Sequence, residues 1–378
     1  MSLSILLAGD YPPDPTLGSS KVFYKLREEF VALGHRCDIL FGPELGGPAP
    51  RQIRQAMSPY LAGRAIARRA DRVKYDVVDV ASAEGLFIGL LNRLHARSAT
   101  PYVCRSNGLE QLNYRRMLED ARAGLTAKPW TRRIWYPLSR LTQVTWAARL
   151  AHRLLLLNTQ DYEYALNEGW QPADRIDLVA HGVSSRYLDD RADTALPRGE
   201  GLLFCGSWDH MKGIAYLVGA MERLHARGAR HRLTILGPGA PESVVLGAFT
   251  DAVRPFVRVI PRVAEDEVVR LYRAYDVLLW TSTYEGFGLV LLEAMSQQLP
   301  AVTTPVGCAP ALVRDGDNGV IVPPRDPDAV AAAVERLMAD AALRRRLGEA
   351  AARTVAGMTW RATAERTLDV YRRAIEQR

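Results

Sequence analysis

The sequence lacks the features that define several large protein classes. No stretch approaches the roughly 18 consecutive apolar residues that a transmembrane helix needs. Residues 1–9 lack the basic start of a signal peptide, and we interpret them as a first buried strand. The four cysteines lie far apart and without metal-ligand spacing, which suits a reducing compartment. We therefore expect a cytoplasmic protein without disulfide bonds.

Common catalytic and metal-binding patterns are also missing. The seven histidines show no ligand spacing, and no Gly-x-Ser-x-Gly nucleophile elbow occurs. Of the two Asp-x-Asp triplets, Asp315-Gly-Asp317 lies among hairpin dipeptides, and Asp326-Pro-Asp328 precedes a helical pattern that an aspartate would cap. We predict no metal site.

Lysine is scarce, and basic residues are unevenly placed. The net charge is +7, yet residues 51–150 hold 18 Lys/Arg against 7 Asp/Glu, a local balance of +11. A basic face of this size suits an anionic membrane, an acidic glycan or nucleic acid. However, arginine outnumbers lysine 44 to 5, which a GC-rich genome would also produce, and charge runs often mark only a solvated face.

Short apolar runs alternate with longer helical patterns, as in parallel α/β layers. A chain of 378 residues that is 48% hydrophobic is long enough for two such domains, and we place their joint at His181-Gly182-Val183. The predicted strands are Ser4–Leu7, Cys37–Phe41, Val77–Val80, Tyr102–Arg105, Leu154–Leu157, Leu202–Cys205, Leu233–Leu236, Val257–Ile260, Val277–Trp280, Ala301–Thr303 and Val320–Val322.

The segment Thr281-Ser-Thr-Tyr-Glu-Gly-Phe-Gly-Leu-Val-Leu-Leu-Glu-Ala294 is the most informative part of the sequence. Glu285 is predicted on the loop after a strand, and Glu293 about one turn inside a helix from Leu289 to Gln298. Gly286 and Gly288 allow close backbone approach to a ligand. The amides that open the helix form a natural phosphate site. A carboxylate at each end of a phosphate site suggests a ligand with hydroxyl groups on both sides of a phosphate, such as a nucleotide sugar. The alternative interpretation is an ordinary capped helix whose glutamates are only solvated.

This segment resembles the signature of the retaining glycosyltransferases of family 4, which share the GT-B fold. The resemblance implies two doubly wound Rossmann-like domains facing a cleft, and a catalytic role for Glu285 at the hydroxyls of the donor sugar. It implies that Glu293 binds the ribose of the nucleotide. The residues between them would hold the diphosphate, namely Gly286, Phe287, Gly288, Leu289 and Val290.

Further resemblances extend the predicted donor site. Lys212 matches a lysine that grips the diphosphate and is our second catalytic candidate, while Ser207 occupies the place of the family's arginine. Arg262 and Val263 resemble the stretch whose backbone receives the base. Cys308 stands where the family usually has glycine in a donor-side loop.

The amino-terminal match is looser. Gly18 resembles one glycine of the family's Gly-Gly loop over the donor, and a plain turn is nearly as good an interpretation. Asn107, Gly108 and Glu110 resemble a His-Gly element at a strand end and are the acceptor-side candidates. Because Asn107 replaces the histidine, this position cannot titrate near neutral pH.

Residues 128–157 combine three tryptophans with five arginines. Trp130, Ile134, Leu138 and Leu141 share one helical face, a composition that suits a helix at a membrane interface. Pro137 interrupts the pattern, and family members carry a buried helix here. Core packing is therefore our prediction for this face.

Together these observations predict a metal-independent transferase that moves a sugar from a nucleotide diphosphate to a hydroxyl acceptor, such as a lipid or a growing glycan. Residues 1–183 with a returning segment 360–378 would form the acceptor domain, and 184–359 the donor domain. No cofactor is implied beyond the nucleotide sugar, and nucleic acid is not an expected partner. Contact with an anionic membrane at its inner face is a further hypothesis. A GT-B epimerase or phosphorylase, or an inactive nucleotide-sugar binder, is the alternative function.

Overall fold

The structure is a computed structural model that describes residues 2–45, 51–94, 100–126, 130–189 and 198–377. It divides into two compact units, Met1–His181 with Trp360–Arg378, and Gly182–Thr359. In the described ranges, none of the helices combines the length and apolar composition needed to cross a bilayer.

The first unit is a six-stranded parallel sheet with strand order β2-β1-β3-β4-β5-β6. Its strands are β1 (Ser4–Gly9), β2 (Arg36–Phe41), β3 (Val77–Ala81), β4 (Tyr102–Arg105), β5 (Arg153–Leu156) and β6 (Ile176–Leu178). Its helices are α1 (Gly18–Ala32), α2 (Gly42–Leu45), α3 (Arg51–Ala70), α4 (Leu86–Leu94), α5 (Glu110–Arg122), α6 (Trp130–Arg133), α7 (Thr142–Leu150), α8 (Thr159–Asn167) and the returning α17 (Trp360–Glu376), with a 3-10 turn at Ser82–Gly85 and a π-helical turn at Pro137–Leu141.

The second unit is another six-stranded parallel sheet, with order β12-β11-β10-β7-β8-β9. Its strands are β7 (Leu202–Cys205), β8 (Leu233–Leu236), β9 (Val257–Ile260), β10 (Val277–Trp280), β11 (Ala301–Thr303) and β12 (Val320–Ile321). Its helices are α9 (Arg186–Asp189), α10 (Ile214–Ala226), α11 (Glu242–Leu246), α12 (Glu265–Ala274), α13 (Leu289–Ser296), α14 (Ala309–Leu312), α15 (Pro327–Ala339) and α16 (Ala341–Thr354), and a 3-10 turn spans His210–Lys212.

Alternating side chains bury both faces of each sheet, which is why the strands are almost continuously apolar. In the first unit, Leu6 and Ala8 of β1 belong to one buried cluster with residues of α3, α4 and α7. In the second unit, Leu202 and Phe204 of β7 pack in a cluster with residues of α10 and α15. The predicted parallel α/β layers are confirmed in both units.

A buried polar cluster fastens the returning helix α17 to the first sheet. Arg105 and Asp79 are fully buried and form an ion pair at 2.6 Å. Tyr371 of α17 donates a hydrogen bond to the same carboxylate at 2.5 Å, and the ring of Phe30 lies 5.8 Å from that of Tyr371. A buried ion pair needs such additional hydrogen bonds, because its desolvation is otherwise uncompensated.

The predicted burial of the tryptophan-rich segment is wrong. On the predicted face, Ile134 and Leu138 are exposed, Leu138 with 71% accessibility, and Leu141 is half-buried. Trp135 and Trp146 of the same segment are also exposed. Pro137 opens the π-helical turn, and the buried side of α7 consists of smaller residues, Val144, Ala147 and Ala148. The side chain of Trp130 lies outside the described residues.

Candidate active site

The strand order of the second sheet reverses between β7 and β10, which lie side by side. In doubly wound sheets, ligands bind beyond the carboxyl ends of the strands at this reversal. Lys212 follows β7 and Glu285 follows β10. The structure brings the two together, because Nζ of Lys212 lies 2.6 Å from Oε1 of Glu285.

The Glu285 carboxylate is held in place by more than its ion pair. Its side chain is only 8% exposed, and the hydroxyl of Ser282 donates to Oε1 at 2.7 Å. Ser282 is itself fixed, because Thr304 Oγ1 donates to its carbonyl oxygen at 2.5 Å. The carboxylate therefore has a defined orientation before any ligand is present.

The loops after β7 and β10 are bound to each other along their length. The amide of Thr283 donates to the carbonyl of Met211 at 2.8 Å, and Thr281 Oγ1 donates to the carbonyl of Lys212 at 3.0 Å. Gly213, with φ of +70°, makes this approach feasible, because a Cβ there would overlap the carbonyl oxygen of Thr281. The position of Lys212 is thus set by the loop that carries Glu285.

Gly288 opens helix α13 immediately after the signature loop. Its φ is +104°, and an added Cβ would lie 2.5 Å from the indole of Trp280, so only glycine fits. As the cap residue it provides no side-chain acceptor, and helical bonding starts with the amide of Leu291 on the Gly288 carbonyl. The amides of Leu289 and Val290 come before this first helical hydrogen bond and so have no acceptor within the helix. They lie at the positive end of the helix dipole.

Glu293 lies in the second turn of α13 and is buried. Tyr272 donates to its Oε2 at 3.4 Å, and the phenol of Tyr187 also hydrogen-bonds to this carboxylate. Burial raises the pKa of both phenols well above the ordinary range, and the charge of Glu293 adds to this shift. Each phenol therefore keeps its proton and acts as a donor to the carboxylate.

Cys308 lies beside the same loop. Its amide donates to the carbonyl of Phe287 at 2.7 Å, and burial, reinforced by the charge of Glu285, raises the pKa of its thiol. At Gly307, which has φ of +56°, a Cβ would lie 2.8 Å from Cβ of Glu285. The thiol therefore stays protonated and packs against the loop that carries Glu285 and Phe287.

The remaining predicted donor residues also follow strands of this sheet. Arg262 and Val263 follow β9, which is the edge strand and has β8 between it and β7. The exposed Arg262 side chain covers the turn at Gly237 and Gly239. Ser207 follows β7 and is half-buried, and its carbonyl accepts from the amide of Asp209 at 2.9 Å.

The first unit holds the acceptor-side candidates. Asn107 and Gly108 follow β4, and Nδ2 of Asn107 donates to the phenol of Tyr11 at 3.0 Å. Oδ1 of Asn107 is buried and has no hydrogen-bond partner among the described residues. Gly18 is the first residue of α1, and a Cβ there would meet no described atom within 4 Å, so sterics do not require glycine.

Glu110 lies in an ion-pair cluster that sequence reasoning did not reveal. Arg140 lies 2.9 Å from Glu110 and 2.7 Å from the buried Glu84. Ser82 and Tyr136 donate to Glu110 at 2.9 and 2.8 Å. These residues are far apart in sequence, and no local pattern in the sequence joins them.

The sequence is similar to those of known glycosyl transferases. Residues 199–340 match the family described as "Glycosyl transferases group 1". A D-inositol 3-phosphate glycosyltransferase from Kineococcus radiotolerans is 36% identical over 222 residues, covering 54% of this chain and 51% of that protein. An alpha-D-kanosaminyltransferase from Streptomyces kanamyceticus is 30% identical over 220 residues, covering 54% and 56%. The chain spans about half the length of the curated relatives it matches.

Solved structures resemble the whole chain. A sucrose-phosphate synthase from Thermosynechococcus elongatus has a TM-score of 0.77 at 21% identity and covers 98% of both chains. An Anabaena protein solved with UDP and glucose has a TM-score of 0.68 at 16% identity, covering 97% of this chain and 99% of that chain.

These findings define the chain as a protein of the GT-B fold, as predicted. More particularly, its residues 199–340 match the family model of the group 1 glycosyl transferases. The narrower assignment to family 4 stays a prediction.

Proposed function

We propose that the chain is a retaining glycosyltransferase of family 4 that moves a sugar from a nucleotide diphosphate to a hydroxyl group of a lipid or a growing glycan. The observation that carries this proposal is the Lys212–Glu285 pair at the strand-order reversal, next to the glycine-capped start of α13. A cation and free helix amides stabilise a leaving diphosphate, and an oriented carboxylate positions a sugar.

In the proposed reaction, the bond between the anomeric carbon and the diphosphate oxygen breaks, and its electron pair leaves with the diphosphate. The acceptor oxygen bonds to the same face of the anomeric carbon, and its proton leaves with the nucleoside diphosphate. Lys212 and the amides of Leu289 and Val290 would stabilise the departing charge. Glu285, already oriented by Ser282, would hold the sugar hydroxyls without a new conformational cost. No metal ion or cofactor takes part in this proposal.

Glu293 is the proposed ribose ligand. A carboxylate has about four lone-pair sites, and the phenols of Tyr272 and Tyr187 use part of them. The rest can accept the two hydroxyls of a ribose. On this proposal the base lies towards Arg262 and Val263, at the edge-strand side of the sheet.

In the first unit, we propose that Asn107 meets a hydroxyl-bearing ligand. Its buried Oδ1 is an acceptor that has no partner among the described residues, and an unsatisfied buried acceptor is costly. Glu110 is engaged by Arg140 and would shape this region, with Gly108 and Gly18 lining it.

Purified protein incubated with a panel of labelled nucleotide sugars tests the function. Slow release of free sugar from one donor supports a transferase, because water then replaces the missing acceptor. An epimerised donor, or turnover that requires inorganic phosphate, would instead identify an epimerase or a phosphorylase. Tight donor binding without turnover would identify an inactive binder. Adding a chelator to the active reaction tests metal independence, and undiminished turnover is expected.

Replacing Glu293 with alanine should weaken donor binding by about 1.5–3 kcal/mol, the contribution of hydrogen bonds to a charged group. Calorimetry with the donor measures this effect. Tyr272→Phe is the matched control, because it removes one phenol hydroxyl and keeps the carboxylate, so its effect on donor binding should be smaller. A folded Glu293→Ala protein with unchanged donor affinity would show that the carboxylate only supports packing between α13 and the two tyrosines.

A further inference from the structure

Three long segments of the first unit contain no acidic residue. They are residues 45–70, 85–109 and 121–160, and together they hold fifteen Lys/Arg and no Asp/Glu. Acidic residues occur between them, for example Glu84 and Glu110. Arg105 and Arg153 lie in strands and are paired with buried aspartates, whereas Arg64, Arg68, Arg93 and Arg149 are exposed on helices.

The fold brings the helices α3, α4 and α7 of these segments into one layer. The rings of Tyr60 in α3 and Phe87 in α4 lie 5.3 Å apart, edge to face. Gln143 of α7 donates to the carbonyl of Ala56 in α3 at 2.9 Å. At Gly89 of α4, an added Cβ would lie 2.6 Å from Cβ of Leu150 at the end of α7. Segments distant in sequence therefore form one continuous surface.

Large apolar side chains are exposed on this layer. Leu94 and Leu138 are 77% and 71% accessible, and Trp135 is 55% accessible. Of the twelve large apolar side chains that are exposed among the described residues, eight lie here. The eight are Met57, Tyr60, Leu90, Leu94, Ile134, Trp135, Leu138 and Trp146. Together with the exposed Arg64, Arg68, Arg93 and Arg149, they form what we call the apolar-basic face. Scattered exposed apolar residues are ordinary, but a group on one layer marks an interaction surface.

Exposed arginines accompany these apolar side chains. On α3, Arg64 and Arg68 continue the helical stripe that begins with Met57 and Tyr60. Arg93 is exposed between Leu90 and Leu94 on α4. The guanidinium of Arg149 lies 5.7 Å from the ring centre of Trp146. Each apolar cluster thus has a cation within about one helical turn.

The two carboxylates at the base of this layer do not neutralise the surface. Glu84 is buried and pairs with Arg140 at 2.7 Å. Glu110 is mostly buried and pairs with the same arginine at 2.9 Å. Arg69, by contrast, is 3.5 Å from Asp38 and hydrogen-bonds to Tyr75, so it is a poor candidate for a ligand contact.

We propose that the apolar-basic face docks on an anionic lipid bilayer, with its leucine, isoleucine and tryptophan side chains in the headgroup region and its arginines on lipid phosphates. Exposed aliphatic and tryptophan side chains beside arginines are the composition of interfacial membrane helices. Nucleic acid would use the arginines but would leave Leu94, Ile134 and Leu138 in water. The absence of acidic residues from the segments matches the negative potential of such a membrane.

Sedimentation of the full chain with lipid vesicles tests this proposal and does not depend on any enzymatic activity. At low salt, vesicles of phosphatidylcholine mixed with phosphatidylglycerol should recruit the protein, and recruitment should fall as salt rises. Pure phosphatidylcholine vesicles should recruit far less. Equal recruitment by both vesicles, or none by either at low salt, would overturn the proposal.

Two sets of substitutions locate the contact. The triple variant Arg64→Gln, Arg68→Gln and Arg93→Gln should weaken recruitment on the order of a hundredfold, since each cation contributes roughly a fivefold effect. Leu94→Ser with Leu138→Ser should weaken it while preserving the preference for anionic lipid. The controls lie on exposed residues of the second unit. Arg336→Gln with Arg345→Gln and Arg353→Gln removes the same charge as the triple variant, and Val244→Ser is a single-site control for the apolar substitutions.

Controls with native recruitment would support the assigned face. If the controls lose as much recruitment as the triple variant, binding depends on total charge and the face is wrongly assigned. Thermal melting of each variant distinguishes loss of binding from loss of folding. A concentration-dependent dimer in sedimentation velocity, abolished by Leu94→Ser with Leu138→Ser and without vesicle binding, would make the face a self-association surface and overturn the membrane proposal.

Discussion

Replacing Lys212 with alanine is expected to lower kcat/KM by about 3–4 kcal/mol, the effect of removing one preorganised donor to a developing negative charge. Lys212 lies at the strand-order reversal, and its side chain is only 19% exposed. By the resemblance to family 4, Ser207 stands at the position of an arginine, and its uncharged side chain cannot compensate for the lost cation. Steady-state kinetics with the donor identified in the panel measures the loss.

The same substitution also leaves the Glu285 side chain, which is 8% exposed, without its cation, although the Ser282 hydroxyl still donates to it. Loss of a partner to a buried charged group costs about 1–3 kcal/mol or more of folding stability. The double variant Lys212→Ala with Glu285→Gln removes the uncompensated charge. It should recover thermal stability but not activity. Recovery of both would show that Lys212 acts only by neutralising Glu285.

Arg262→Ala is the comparison for Lys212→Ala, because Arg262 is an exposed cation of the same sheet edge beyond β9. We expect it to affect donor binding weakly. Near-normal kinetics in Lys212→Ala combined with a large loss in Arg262→Ala would transfer the diphosphate contact to Arg262.

Most of the fold could be predicted from the sequence, because buried parallel strands are short apolar runs bounded by polar turns. All eleven predicted strands are present, with ends that differ by at most two residues. The missed strand, β6, has only three residues, Ile176–Leu178, and one of them is Asp177. Its burial depends on Arg153, which lies 2.6 Å from Asp177, and such a pairing leaves no local pattern.

The predicted aspartate cap shows where local chemistry is sufficient. An aspartate of the triplet Asp326-Pro-Asp328 caps the following helix, as predicted, and the structure identifies it as Asp326, whose side chain accepts from the amide of Ala329 at 2.9 Å. The tryptophan-rich segment shows the opposite case. Helical spacing reveals which side chains share a face, but it does not reveal whether another element covers that face. Ile134 and Leu138 share a face that the rest of the described chain leaves exposed.

The candidate site, too, was predicted only in part from the sequence. Spacing and glycine positions predicted that Glu285 follows a strand and that Gly288 opens a helix, and both placements are present. The residues that orient the carboxylates were not predicted. Ser282 is close in sequence, but Tyr187 is 106 residues from Glu293, and only the packing of the second unit brings them together. The roles of these residues in substrate binding stay predictions.

Replacing Glu285 with alanine is expected to depress kcat more than donor affinity, by about 2–4 kcal/mol in activation free energy. The carboxylate is held by Lys212 at 2.6 Å and Ser282 at 2.7 Å, so its orientation is fixed in advance. A group fixed in this way contributes most where the sugar changes shape and charge, at the transition state. Turnover and calorimetric donor binding, measured on the same protein, separate the two effects.

Glu285→Gln and Ser282→Ala identify the reason for that loss. Glutamine keeps an acceptor for Ser282 but removes the negative charge, so a loss close to that of alanine would assign the effect to charge. Ser282→Ala keeps the charge and removes one hydrogen bond, and about 1 kcal/mol is expected. If Glu285→Ala keeps near-native turnover while remaining folded, the sugar is bound elsewhere. The ion pair with Lys212 would then serve only to join the loops after β7 and β10.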